Sequence, residues 1–141
     1  MSTLARAIAI AAVAFQDKVD KGGQPYMLHC LRVMNAVGPN QKQMTVGVLH
    51  DVVEDCPEWT IDKLRERGFT DEVLTPLWLL THPEDMDYQD YIKRLASHPV
   101  AKAVKIADLI DNSNITRLKG LRQKDIERVH KYHVAYTYLA G

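Results

Sequence analysis

Apolar residues recur along most of this chain at three- and four-residue intervals, and clusters of breakers interrupt them regularly, the pattern of successive amphipathic helices. The alanine-rich opening predicts a first helix, capped by Ser2 or Thr3 and running to about Asp20, where Gly22-Gly23-Gln24-Pro25 stops it. A second helix is predicted over Tyr26 to Val37. After the Gly38-Pro39-Asn40 turn, a third runs from about Gln41 to Glu54, until Pro57 excludes further propagation. Thr60 caps a short helix that Gly68 ends, and Thr70, followed by Asp71 and Glu72, starts another that reaches about Thr81. Asp87 caps the next. Pro99 suits the first turn of a helix carrying Val100, Val104, Ala107 and Ile110, Gly120 closes that region, and a last helix covers about Lys124 to Leu139. Val46 to Leu49 and Val104 to Ile106 are apolar enough for buried strands, but no alternating run or hairpin dipeptide supports them. The reading is all-α: a compact bundle of about seven or eight helices and no sheet.

With 141 residues and no repeat, linker or low-complexity tract, the chain is read as one domain over 1–141. Lys plus Arg (18) cancel Asp plus Glu (18), which excludes the broad basic face that drives nucleic-acid binding and leaves room only for a local basic pocket. Two isolated cysteines, Cys30 and Cys56, are too few for a disulfide scaffold and point to a reducing compartment, so a cytoplasmic location is expected. The apolar stretch Ala7 to Phe15 resembles a weak secretory signal, but it continues as a good helix through Val19 and is too short to span a bilayer.

Candidate chemistry lies where polar residues interrupt apolar helices. In Gly47-Val48-Leu49-His50-Asp51-Val52-Val53-Glu54-Asp55, His50 shares a helical face with Glu54, and Asp51 with Asp55. Adjacent His50 and Asp51 can converge on one cation; a solvated helix end with a hydrogen-bonded core histidine accounts for the segment equally well. His29 stands among apolar neighbours and, alone, reads as a satisfied core histidine. Asp108 sits in Val104-Lys105-Ile106-Ala107-Asp108-Leu109-Ile110-Asp111-Asn112 with Asn112 one turn on, and alone could be a buried salt bridge. Together, two imidazoles and two carboxylates from three core helices make a mixed nitrogen and oxygen site for a divalent cation.

His29, the adjacent His50-Asp51 and the distant Asp108 resemble the H…HD…D signature of the HD-domain metal-dependent phosphohydrolases. The strings GGQPYMLH, LHDVVEDC and VKIADLIDN are similar to a narrower group, the hydrolase domain of the RelA/SpoT-type enzymes and the small stand-alone alarmone hydrolases. The match spans about residues 5 to 139, leaves no region for a synthetase or regulatory domain, and so looks like the stand-alone form. The resemblance implies an all-helical fold, one Mn(II), and removal of the 3′-pyrophosphate from (p)ppGpp. It implies His29, His50, Asp51 and Asp108 as metal ligands, and Glu54 and Asp55 as the acidic pair that orients and activates the attacking water. It also implies contacts of Lys21, Asn112, Arg128 and Tyr132 with the nucleotide, and makes Tyr26 a packing residue. Three positions depart from the family pattern: Asp20 replaces an arginine that stacks on guanine, Cys30 a proline, and Asp111 a histidine or tyrosine.

The expected partner is a small-molecule nucleotide, with neither nucleic acid nor membrane. One alternative keeps the metal and changes the substrate to another phosphorylated nucleotide or nucleotide cofactor, motivated by Asp20. Another is a catalytically silent helical module that senses a nucleotide or binds a protein. Glu127-Arg128-Val129-His130 reads as half of a di-iron motif but has no second copy, and the Cys30 and Cys56 spacing matches no structural zinc pattern.

Overall fold

The computed structural model describes residues 2–141 and contains, among them, nine α-helical segments and no strand. They are α1 (Thr3–Ala14), α2 (Tyr26–Ala36), α3 (Gln41–Leu49), α4 (Val52–Asp55), α5 (Ile61–Glu66), α6 (Asp71–Leu80), α7 (Tyr88–Leu95), α8 (Pro99–Asn112) and α9 (Gln123–Ala140). Taking α3 and the single turn α4 as one interrupted helix gives eight, within the seven or eight that the sequence predicts. Val46 to Leu49 and Val104 to Ile106 are helical. Of the predicted caps, those at Ser2, Thr60 and Asp87 form, their side chains accepting from Ala5 N, Lys63 N and Gln89 N, whereas Thr70 precedes α6 without a side-chain cap bond.

Helix α3 is the hub, packing against α1, α2, α6 and α8. Every residue from Thr45 to Leu49 is buried, so the segment lacks the polar stripe of a surface helix. Gly47 permits this closeness, since a Cβ there would lie 3.3 Å from Met34 Cα in the backbone of α2. Helix α8 lies against α2, α3, α6 and α9. The three polar-interrupted helices, α2, α3 and α8, are therefore mutual neighbours.

Three expected boundaries shift. Helix α1 stops at Ala14 rather than near Asp20 because Phe15 turns inward, 2% exposed, to pack on Tyr26 with ring centroids 4.9 Å apart. The chain then folds back, with Tyr26 N donating to Lys18 O and Asp20 N to Gln24 O. The third helix breaks at His50 and Asp51, because the His50 imidazole Nδ1 donates to Gly47 O at 2.6 Å and draws the backbone out of the regular ladder. The region before Gly120 ends its α-helix at Asn112 and continues as a 3-10 turn, Ile115–Arg117.

Candidate metal centre and adjoining cleft

The break between α3 and α4 aims His50 and Asp51 at one point. His29 reaches it from α2 and Asp108 from α8, and one donor atom from each of the four lies within 4.8 Å of all the others. Asp108 Oδ1 sits 3.0 Å from His29 Nε2 and 3.1 Å from His50 Nε2; Asp51 Oδ2 sits 3.0 Å from His50 Nε2 and 3.6 Å from His29 Nε2. His29, His50 and Asp108 are buried. Three polar side chains this deep, with partly buried Asp51 beside them, require mutual pairing or an ion.

The outer contacts decide what the four can hold. His50 Nδ1 is committed to Gly47 O, and His29 Nδ1 donates to Asp111 Oδ2 at 2.6 Å. Both Nε2 atoms consequently face the centre and present a lone pair there once deprotonated. Asp111 is itself clamped by Arg32 Nε at 2.7 Å, Arg32 Nη2 at 3.2 Å and Arg117 Nη2 at 3.3 Å. The Tyr26 hydroxyl donates to Asp51 Oδ2, so this side chain touches the centre as well as packing. Lys105 Nζ pairs with Asp108 Oδ2 at 3.0 Å, and Asn112 Nδ2 donates to Asp108 Oδ1 at 3.0 Å. Two imidazole nitrogens and two carboxylate oxygens, with both Nδ1 atoms and Asp108 Oδ2 already paired outward, fit a divalent cation.

The electrostatics follow from this crowding. Burial opposes charge on His29, yet its hydrogen bonds to Asp108 and Asp51 prevail and lift it to about 9. His50 is raised well above the ordinary imidazole value in the same way, by the charges of Asp51 and Asp108 acting against burial. Burial would raise Asp51 and Asp108, but His50 holds Asp51 low and Lys105 with His50 holds Asp108 low. Burial also opposes charge on Asp111, and Arg32 and His29 overcome it and keep the carboxyl below its usual range.

Glu54 and Asp55 stand on the turn α4 beside Asp51. Glu54 Oε1 accepts from His82 N at 2.7 Å, and its carboxyl is raised by burial against that bond. Asp55 Oδ2 is paired with Lys18 Nζ at 2.9 Å. Next to the centre lies a cleft of about 310 Å³, into which Tyr26, Asn112, Lys21, Arg128 and Tyr132 project. Arg128 and Tyr132 share a face of α9, and Arg128 is anchored at 2.9 Å to buried Asp125. Asn112 thus lines the cleft while bonded to a centre residue, and Lys21 stands exposed at its rim. Cys30 and Cys56 are buried free thiols, and neither belongs to the metal-binding group.

Sequence reasoning missed the Asp111, Arg32 and Arg117 clamp, the Lys105 partner of Asp108, and the Tyr26 hydroxyl. Two of these left a local signal: Lys105 precedes Asp108 by three on α8, and Arg32 follows His29 by three on α2, so each charge shares a face with a centre residue. The contact of Arg117 with Asp111 depends on the path of the 3-10 turn and left none.

The all-helical bundle that carries this His, His-Asp, Asp group on three packed helices has a fold like that of a solved SpoT-type hydrolase. No family model matches the chain. A solved structure described as a metazoan ortholog of SpoT that hydrolyzes ppGpp superposes with a TM-score of 0.80, covering 99% of this chain and 85% of that one at 20% identity. The chain is also similar to a probable GTP pyrophosphokinase of Mycobacterium leprae, 28% identical over 129 residues, which is 83% of this chain. It spans only 16% of that relative's length. No helix among the described residues is long and apolar enough to cross a membrane.

Proposed function

We propose that the chain is a metal-dependent phosphohydrolase that releases pyrophosphate from the 3′ position of (p)ppGpp, with Mn(II) as the cation and a single hydrolase domain over 1–141. The observation that carries this reading is the convergence of His29, His50, Asp51 and Asp108 within 4.8 Å, each histidine turned by its Nδ1 bond so that Nε2 faces the others. The cation held there would acidify water and withdraw charge from the phosphoryl group. The fold shared with the ppGpp-hydrolysing metazoan protein supports the substrate. Two unpaired cysteines support a cytoplasmic enzyme.

The protein's own residues supply the remaining work. Glu54, with Oε1 held by the His82 amide, has Oε2 available to accept a proton from the attacking water, and its raised pKa suits a base. Asp55, tied to Lys18, braces the turn that carries Glu54. Lys21, Arg128, Asn112 and Tyr132 line the cleft that receives the nucleotide. Water adds to the phosphorus bonded to the ribose 3′ oxygen, that oxygen departs as the hydroxyl with one proton, and pyrophosphate and GDP or GTP result.

Asp20 bears on the base. Its Oδ1 accepts from Gly22 N and Gln24 N, both at 2.9 Å, so it fastens a loop and offers guanine no cation to stack on. This favours, as a second reading, the same chemistry on a different phosphorylated nucleotide. Purified protein is tested for pyrophosphate release from ppGpp with Mn(II) and after EDTA. Release that requires the metal is the expected result. Folded, Mn-loaded protein that leaves ppGpp intact but dephosphorylates another nucleotide would replace the first reading by the second.

A further inference from the structure

Glu54 stands on α4, a single turn of four residues closed by its own backbone bonds, Asp55 N to Asp51 O and Cys56 N to Val52 O. So short a helix does not fix a carboxylate by itself. The carboxylate is fixed from outside, because Glu54 Oε1 accepts from His82 N at 2.7 Å, and among the described residues this is the only hydrogen bond between α4 and the segment that follows α6. The direction of that N–H depends on residue 82. Thr81 leaves α6 in an extended conformation and Pro83 has no amide hydrogen, so the backbone on either side gives residue 82 no ladder to lie in.

The His82 side chain provides the restraint that the backbone lacks. Its Nε2 donates to Met86 O at 2.6 Å, across a turn in which Met86 N donates to Pro83 O at 3.2 Å. The imidazole packs over Tyr91, with centroids 4.7 Å and planes 30° apart, and Tyr88 meets it edge-on at 5.7 Å. Tyr91 is itself buried, and its hydroxyl donates to Leu80 O at 2.6 Å, so the surface under the imidazole is anchored to the end of α6. We propose that His82 is a positioning residue for Glu54: the imidazole, held between Met86 O and Tyr91, aims the backbone N–H that sets the carboxylate beside the metal centre. The inference rests on the reading of Glu54 as the base and adds the residue that places it. Histidine meets both demands at once, a flat face for Tyr91 and a donor at the far end of the ring for Met86 O. Glutamine retains only the donor. Tyr91 serves a second group, since Lys105 Nζ lies 5.3 Å from its ring while pairing with Asp108 Oδ2 at 3.0 Å, so changing Tyr91 would disturb the centre as well. His82 touches none of the four centre residues through any hydrogen bond or ion pair, and its replacement therefore isolates the effect on Glu54.

The test compares His82→Ala, which loses both contacts, with His82→Gln, which keeps a donor for Met86 O, on ppGpp with Mn(II). His82→Ala is expected to lower kcat by about 10- to 100-fold, the cost of a displaced reacting group, with KM and Mn(II) affinity within about twofold of the wild type. His82→Gln recovers most of that loss. A kcat held in His82→Ala, or a KM that rises while kcat is held, overturns the positioning role, and equal kcat in the two variants overturns the part given to Met86 O. The amide proton resonance of residue 82 gives a readout independent of turnover. Donation to a carboxylate moves it downfield, so Glu54→Gln shifts it upfield in the wild type and leaves it in place in the His82→Ala background, where the bond is already lost. An equal shift in both backgrounds, or none in either, overturns the proposal. If the wild type hydrolyses neither ppGpp nor another phosphorylated nucleotide, the phosphohydrolase reading fails, and the amide comparison still decides whether His82 places Glu54.

Discussion

Replacing Asp111 with asparagine should weaken metal binding although Asp111 touches no metal. Its Oδ2 receives the His29 Nδ1 proton at 2.6 Å, which leaves Nε2 to the centre. Asparagine keeps the shape, removes the charge, and can turn its amide to donate to Nδ1, which moves the imidazole proton to Nε2 and blocks that ligand. Arg32 and Arg117, now paired with the carboxylate, lose their anion and with it the reason to hold residue 111 in place. Outer-shell changes of this kind weaken metal affinity by about 10- to 100-fold, or about 1.4–2.7 kcal/mol. Calorimetric titration with Mn(II) measures this at pH 8 and again at pH 9, which separates the tautomer effect from easier proton loss at His29. Circular dichroism confirms the fold, and Arg32→Gln, which leaves Arg117 on Asp111, should show a smaller loss. A variant whose Mn(II) affinity lies within twofold of the wild type at both pH values would refute the orienting role of Asp111.

Metal binding and pH should be linked. His29 moves from 6.5 to about 9 on folding, so its stabilisation of the metal-free protein is complete below about pH 6.5 and disappears as pH rises to about 9. A cation needs the neutral imidazoles, so the Mn(II)-induced rise in Tm should grow across that window, with up to two protons released per ion; a rise that shrinks with pH would contradict the assignment. Glu54→Gln should lower kcat by about 10²- to 10⁴-fold while Mn(II) affinity stays within about threefold, and Asp55→Asn should cost less because its carboxylate serves Lys18. Near wild-type kcat in Glu54→Gln would remove it as the base. Lys105→Met leaves Asp108 Oδ2 without its lysine while Oδ1 keeps His29, His50 and Asn112, and should destabilise the metal-free protein by about 1–3 kcal/mol, a drop of about 4–10 °C in Tm. A loss under about 3 °C, measured in EDTA, would show that Lys105 does not compensate Asp108.

The helical architecture was legible because periodicity, capping residues and breakers all act locally. Ser2, Thr60 and Asp87 each declare a helix start without knowledge of the rest of the chain. The boundary errors arose where a tertiary contact overrode propensity. Phe15 leaves a favourable helix to reach Tyr26, and the His50 side chain takes the Gly47 carbonyl and breaks α3. At the site, the polar interruptions marked His29, His50, Asp51 and Asp108 as candidates, but spacing along separate helices carries no distance between them. The resemblance named them together, and the crossing of α2, α3 and α8 brings them within 4.8 Å. The residues that prepare those ligands were hidden for the same reason: Asp111 lies 82 positions from His29, and nothing local joins them.

The two acids that depart from the family pattern have a common explanation in charge placement. Asp20 and Asp111 each put a carboxylate near the cleft proposed to take a phosphorylated nucleotide, which by sequence looks like repulsion added twice. In the folded protein neither charge is left free. Asp20 is satisfied by two backbone amides of its own turn, and Asp111 by a histidine and two arginines. Satisfied carboxylates exert a reduced field on a neighbouring anion, and each also does structural work: one fixes the loop that walls the cleft, the other fixes the tautomer of a ligand. The cations around them stay available, Lys21 at the rim of the cleft and Lys119, Arg122 and Lys124 beyond it. Under the proposed function, phosphate recognition would therefore depend less on any single replaced arginine than on which basic side chains the acids leave unpaired.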